Sequence, residues 1–534
     1  MAVSAFAMLY FSRGTTFSAD EMVIVVTTPD FDVRTALQPH AGHLLLIPRL
    51  VYWPLLNIFG LDYLPYRMLT AGSVCLTVGF LFTWLIRRIP EWVALVPCLI
   101  LLFFGTDHLH VLQGNGFVIC FALAMGLLAL LQLERGDRRG DVVACVALVA
   151  AAATYSVGLP FIAGAATLVL LNRQWRRLWV PAIPFILYLA WFVWSKSQDF
   201  SGANQAEISA ITDFPRWIFE ASGASLYALS GLSFDWASGD QLDLIDVRSA
   251  IIAALFIGSV VWCVVKGRAT KSLWVVLVVA LSLWGLQVLV SQHGGRLPDD
   301  ARYLYPGAVV CVLILGAAAQ GLRWSKAAIV ALYLVGAAGL LTNFVLLERN
   351  GDFYRDTSLA YRGYVGAVVL TAQTYAAEDN EAALQEVDAN DLVTDKPAAV
   401  LMADSPYGDF AATPQEMLQL PEEQRLLLDA ALVNGIGISR EPAGDFRPSQ
   451  CDTQRAGDDG LVSVDLAVNR VIVESAGGLP NLLIGRFGSG PSVDLGPLKP
   501  GERVVLTIPP DQSDVSWKIG GAGKSIKVCS AGSR

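Results

Sequence analysis

The chain has 534 residues, of which 54% are hydrophobic and 16% charged, with a formal net charge of -9. So large an apolar share beside so few charges lies outside the range of soluble domains and marks a membrane protein. The negative balance sits mainly in the C-terminal third, and with no basic footprint the charge argues for neither nucleic acid nor an anionic lipid surface as a partner.

The first apolar stretch, 3–11, is about half the ~20 residues that a crossing helix needs. The loops that follow nonetheless require a crossing there, so either the first helix is a partial one or, as the favoured expectation, the true start lies upstream of Met1. The sequence "FSADEMVIVVTTPDFDVRTALQPHAGH" (17–43) then places four carboxylates and two imidazoles in a first long loop, 14–66. Within that loop, "HLLLIPRLVYWPLLNIFG" (43–60) is apolar but interrupted by Pro48 and Pro54 and flanked by Tyr52, Trp53 and Tyr63. It reads as one or two helices in the membrane interface, with a re-entrant segment as the alternative.

Apolar runs long enough to cross a ~30 Å hydrocarbon core recur at 67–86, 91–105, 116–133, 142–157, 160–172, 178–195, 248–265, 272–291, 307–321 and 327–347. Basic clusters fall at alternate ends: Arg87-Arg88, Arg135/Arg138/Arg139, Arg173/Arg176/Arg177, Lys266/Arg268/Lys271 and Arg323/Lys326. The positive-inside rule makes these ends cytoplasmic. The remaining connections then face outward, including a second long loop at 196–247, Gly/Ser/Asp-rich with an aromatic patch at 214–219. Loops of that length in a compact domain usually carry function.

After residue 347 the composition becomes that of a soluble domain. Residues 350–447 mix helical patches (358–377, 421–433) with turns. From about residue 459, "LVSVDLAV", "RVIVES", "NLLIGRF", "RVVLTI", "VSWKI" and "SIKVC" alternate as short strands, the pattern of a small β-sandwich over 448–534. Parity puts this region outside the cell. Six of the eight cysteines lie in the apolar spans as small hydrophobes. Cys451 and Cys529 bracket the strands, as a disulfide in an oxidising compartment would, and two free thiols are the alternative. Trp517 offers a glycan-stacking platform or, alternatively, a core residue. The expected architecture is a polytopic α-helical membrane protein of about 11 spans (1–349) with an extracytoplasmic α/β region ending in a small β-sandwich.

All five histidines, His40, His43, His108, His110 and His293, fall on the expected outer side. With them lie Arg49, Asp107, Tyr155, Arg296, Arg302 and Tyr303. Ionisable groups beside a bilayer are functional candidates, here for substrate binding.

"SADE" (18–21), the two-helix look of 43–60 and "RYLYPG" (302–307) resemble the GT-C superfamily of membrane glycosyltransferases. The group includes protein mannosyltransferases, aminoarabinose transferases and cell-wall arabinosyl- and mannosyltransferases. The resemblance implies many spans, an acidic motif just past the first one, a polyprenyl-phosphate sugar as donor, and a glycan, lipid or protein as acceptor. Asp20 would take the acceptor's proton. Glu21 would orient the acceptor or, with Asp20, hold a divalent cation (Mg, Mn or Ca). Arg296, Arg302 and His293 would stabilise the carrier phosphate. No glycine-rich nucleotide loop appears, and a lipid-linked donor needs none.

Plainer readings exist for each motif. Ser18 and Glu21 fit a capping box. The "DHLH" histidines lack a third spaced metal ligand. "PDDARYLYP" fits helix initiation with a tyrosine belt. A flippase for lipid-linked sugar and a non-catalytic glycan-binding assembly protein are the alternative functions; the first calls for internal repeats, which are not seen.

Overall fold

The computed structural model describes residues 1–17, 20–28, 32–198, 207–291, 296–377, 410–444, 446–456, 461–466, 470–509 and 513–531. Contacts divide the chain into two compact units, the first comprising Met1–Phe17 and Thr27–Arg355 and the second Ser18–Val26 and Asp356–Arg534.

In chain order the helices are α1 (Ala2–Phe11), α2 (Asp20–Thr27), α3 (Val33–Leu37), α4 (Leu46–Phe59), α5 (Leu64–Leu85), α6 (Glu91–Leu102), α7 (His108–Leu112), α8 (Gly116–Leu133) and α9 (Arg138–Thr154). They continue with α10 (Leu159–Leu171), α11 (Trp179–Ser197), α12 (Phe214–Ser230), α13 (Val247–Val265), α14 (Lys271–Val288), α15 (Ala301–Ala318) and α16 (Lys326–Ala377). A short hairpin, β1 (Phe234–Asp235) and β2 (Asp240–Gln241), separates α12 from α13.

Each of the ten apolar runs read from the sequence falls on a helix. Among the described residues, seven helical stretches are long and apolar enough to cross a membrane. Helices α6 and α10 fall short at 12 and 13 residues, and α9 spends its first turn on Arg138, Arg139 and Asp141. The second long loop differs from its reading, because it contains α12. The aromatic patch at 214–219 opens that helix, and the small residues Ala221, Ser222, Gly223, Ala224 and Ser225 are buried along it. A Cβ on Gly223 would stand 2.8 Å from the Ser249 carbonyl oxygen, so this polar-looking stretch is a close-packing face against α13.

Burial sorts the spans by neighbour. Helix α8 is buried along nearly its whole length, whereas α13 exposes Ile251, Leu255, Val261, Trp262 and Val265 and α11 exposes Phe185, Ile186, Leu187, Leu189 and Val193. Apolar faces that wide mark a surface covered by lipid or by a protein partner. At the ends rich in arginine, partly buried ion pairs fasten helices together. The Arg177 guanidinium meets Asp141 through Nε at 2.8 and 3.0 Å, and Arg88 pairs with Glu134 while stacking 3.6 Å over the Trp84 ring.

One contact fixes the connection after α6. Gly105 lies so close to α16 that a Cβ would stand 2.1 Å from the Asn343 carbonyl oxygen. The Asn343 side chain accepts from the Thr106 N–H (3.0 Å) and hydroxyl (2.8 Å) and donates to the carbonyls of Ala228 and Gly339. The next residue, Asp107, is thereby placed by a buried amide rather than left to a loop.

The second unit adds α17 (Pro414–Met417) and α18 (Glu422–Gly435), then β3 (Ser439–Pro442), β4 (Pro448–Arg455), β5 (Leu461–Asp465), β6 (Arg470–Glu474), β7 (Leu483–Gly485), β8 (Val493–Asp494), β9 (Arg503–Thr507), β10 (Lys518–Ala522) and β11 (Ser525–Ala531). The strands form two antiparallel sheets, ordered β5-β10-β7-β8 and β3-β9-β6-β11-β4. Val464, Ile484 and Ile519 of one sheet share a core with Val473, Leu506 and Ile526 of the other. Cys451 and Cys529 are directly paired across β4 and β11 and joined as a disulfide. Trp517 is 4% exposed and packed in this core with the Arg486 guanidinium 4.3 Å from its ring, so the stacking-platform reading gives way to the core one.

Candidate functional site

Asp107 is fully buried, and its carboxylate accepts three hydrogen bonds. The His110 N–H (3.1 Å) reaches Oδ1, which caps α7; the His110 Nδ1 (2.9 Å) and the Tyr305 N–H (2.7 Å) reach Oδ2. An acceptor-only carboxylate makes Nδ1 the protonated nitrogen of the ring. His110 is 4% exposed, and its Nε2 has no partner among the described residues. The Tyr305 hydroxyl is buried and likewise unpartnered among them. On the neighbouring residue, His108 Nδ1 lies 2.6 Å from the Tyr354 hydroxyl. Burial holds the His108 imidazole below its ordinary pKa, with the Asp107 charge working the other way.

A second group gathers around α4. Residues 40–43 form a tight turn bridged by His40 and His43, with Ala41 and Gly42 at positive φ. The His43 ring lies 4.1 Å from that of Tyr155. The stretch 43–60 holds a single helix, α4 (Leu46–Phe59), with Pro54 inside it. Its inward face holds Arg49 and Tyr52, while Leu50, Trp53, Ile58 and Phe59 are exposed. A helix that hides its cation and shows its apolar side is the reverse of one on a soluble surface, and it fits contact with lipid.

Arg49 is 3% exposed and donates through Nη1 to the carbonyls of Gln38 and, at 3.3 Å, Ala36. No carboxylate pairs with it among the described residues, and its Nε finds no acceptor there. Burial pulls its pKa down to about 10. Aromatic packing runs from here toward α7: the Tyr52 ring is 4.8 Å from that of Tyr66, and the Tyr63 hydroxyl accepts from the Gly114 N–H at 2.7 Å.

The third group stands at the start of α15. Arg296 hydrogen-bonds the Tyr303 phenol, whose ring lies 5.9 Å from Trp217, and Arg302 is exposed beside it. His293 lies outside the described residues. Among the catalytic candidates, Asp20 opens α2, but its side chain is not among those described. Glu21 follows it and is 1% exposed. Both belong to the second unit by contacts. The capping-box reading rests on Ser18, outside the described residues. Among those described, no group of three or more His, Cys, Asp or Glu side chains could hold a metal ion.

The candidates thus form local groups: Asp107 with His110 and, through its neighbour, His108 with Tyr354; His43 with Tyr155 near Arg49; and Arg296 with Tyr303. Tyr354 carried no signal in the sequence, since it lies within α16, 246 residues on from His108. Asn343 has a weak signal, an amide in an otherwise apolar run, which marks an interhelical hydrogen bond.

No family model and no curated protein matches the chain. Among solved structures it is similar to the crystal structure of ArnT from Cupriavidus metallidurans bound to undecaprenyl phosphate, at 12% identity and a TM-score of 0.43, over 69% of this chain and 79% of that chain.

Proposed function

We propose that the protein is an integral membrane glycosyltransferase of the GT-C type. It moves a sugar from a polyprenyl-phosphate carrier to a glycan, lipid or protein acceptor of the envelope, on the outer face and with inversion. The observation that carries this reading is Arg49, a buried guanidinium without a carboxylate among its described neighbours, on the inner side of a helix whose outer side suits lipid. A buried cation in that state is costly unless an anion completes it. A phosphate at the head of a long apolar chain supplies both the anion and the approach through lipid, and guanidinium matches it in geometry.

In the reaction, the acceptor oxygen attacks the anomeric carbon and its proton passes to Asp20. The bond between that carbon and the phosphate oxygen breaks, and its electron pair leaves with the carrier. Glu21 orients the acceptor, alone or with a divalent cation. Arg49, Arg296 and Arg302 balance the charge left on the phosphate. The two-sheet domain lies outside the cell and positions acceptor glycan.

Complementation of a deletion strain with Asp20→Asn and Glu21→Gln tests the reading. Both variants are expected to reach the membrane and to lose glycan transfer by 100-fold or more, the order of a general-base contribution. Full transfer by both, at normal expression, would sink it. Arg49→Ala is expected to weaken binding of a polyprenyl monophosphate about tenfold.

A further inference from the structure

We infer that His110 donates a proton to the carrier phosphate as it departs, with Asp107 as the residue that positions it; this rests on the proposed function and gives the donor side of that reaction its acid. Three observations meet here. The Asp107 carboxylate holds Nδ1 of the ring, so the open atom is Nε2. The imidazole is nearly enclosed, yet Nε2 has no partner among the described residues. A second buried polar group on the same carboxylate's partners, the Tyr305 hydroxyl, is also unspent. An open imidazole nitrogen and a buried hydroxyl without a partner among the described residues, both on residues that this saturated carboxylate holds, are what remains when a polar ligand is taken away.

The carboxylate has no capacity to spare for a ligand, and so it serves the ring. By holding Nδ1–H it fixes the tautomer and orientation and supports the charge of an imidazolium. The titratable neighbours are His108 beside it, Cys120 of α8, whose thiol donates to the His110 carbonyl at 3.7 Å, and Tyr305 of α15.

While the acceptor oxygen bonds to the anomeric carbon, the carbon–oxygen bond to the phosphate breaks, and the pair left on the phosphoryl oxygen takes the proton from Nε2. The ring is left neutral, and solvent returns a proton before the next turnover.

The test uses the full chain in nanodiscs with a polyprenyl monophosphate as probe and the matching polyprenol as control. Diethylpyrocarbonate modification of each histidine is mapped by mass spectrometry, and lipid binding is read separately by native mass spectrometry. The monophosphate is expected to protect His110 about tenfold and the polyprenol not at all. His110→Gln is expected to bind the monophosphate about tenfold more weakly, and Asp107→Asn to change the Nε2 tautomer in 15N spectra. If the monophosphate binds but leaves His110 reactive, or if the wild-type His110 resists modification while His40 and His43 react, the inference fails and the transferase reading stands. If the monophosphate does not bind, both fail.

Discussion

The Asp107 carboxylate accepts the backbone N–H of Tyr305 at 2.7 Å, joining residues 198 positions apart in the chain. That bond ties the start of α7 to the first turns of α15, just before Pro306, where the helix has no N–H to give. Replacing the carboxylate orphans two backbone N–H groups and one imidazole nitrogen at a buried position. Asp107→Ala is therefore expected to destabilise the helical unit by about 3 kcal/mol or more. Asp107→Asn, which keeps one acceptor oxygen, should cost clearly less. Unfolding of both variants in mixed micelles by denaturing detergent checks the order.

Gly105 admits no side chain. A Cβ there would overlap backbone atoms of Asn343 and Leu347 at 2.1 and 2.3 Å, and backbone cannot turn aside as a side chain can. Gly105→Ala is expected to cost about 3 kcal/mol and to loosen the turn that carries Asp107. Gly72, with nothing within 4 Å of its would-be Cβ in the middle of α5, is the control. Gly72→Ala should be neutral or stabilising by up to about 1 kcal/mol. Thermal unfolding of the pair separates overlap from any general intolerance of alanine.

Strand β4 is exposed along all eight of its residues, so little core burial holds it in place. It is held by its ladder with β11 and by the disulfide between Cys451 and Cys529, which closes a separation of 78 residues. On the chain-entropy model such a closure is worth about 4 kcal/mol. The double variant Cys451→Ser/Cys529→Ser should lower the unfolding midpoint of the two-sheet unit, with amides of 448–455 exchanging first. Hydrogen exchange by mass spectrometry reads both effects.

Glu422 accepts the backbone N–H of Ser489 at 2.8 Å and the Ser489 hydroxyl at 2.7 Å. These bonds hold its carboxyl below the usual glutamate value. A depressed carboxyl stabilises the fold fully above the unfolded-state value near 4.5, and the contribution disappears as pH falls through the lower folded-state value. The wild type should accordingly unfold at a higher temperature than Glu422→Gln at neutral pH. The gap is expected to close as pH falls through the lowered folded-state value, and melting curves across the acid range check it.

Apolar runs of span length were legible because lipid and helix geometry leave few alternatives. The strands from Leu461 onward were legible because one face alternates inward. Helix α12 was not: its buried face is made of Ala, Ser and Gly, which pack tightly but register as loop residues in any count of hydrophobicity. Strand β4 was equally hidden, since a strand exposed on both faces has no alternation to read. At the candidate site, the sequence pointed to Asp107 and His110 as residues but not as partners. Their pairing depends on the capping geometry of a five-residue helix and on a backbone N–H two hundred positions away. Arg49 was chosen as one more charge in a loop, whereas its interest lies in the carboxylate that the described structure does not place beside it.

The crosslink between Cys451 and Cys529 has a use beyond stability. Thioredoxin and glutathione keep such thiols reduced in the cytosol, so the pair records the compartment in which its sheet was assembled. A maleimide mass tag applied to whole cells under denaturing, non-reducing conditions would read that record. A protein that takes six tags, on its free cysteines alone, carries a sheet that matured beyond the membrane, and one that takes eight tags never left the cytosol. The molecule thus carries its own topology marker, with no fusion or epitope needed.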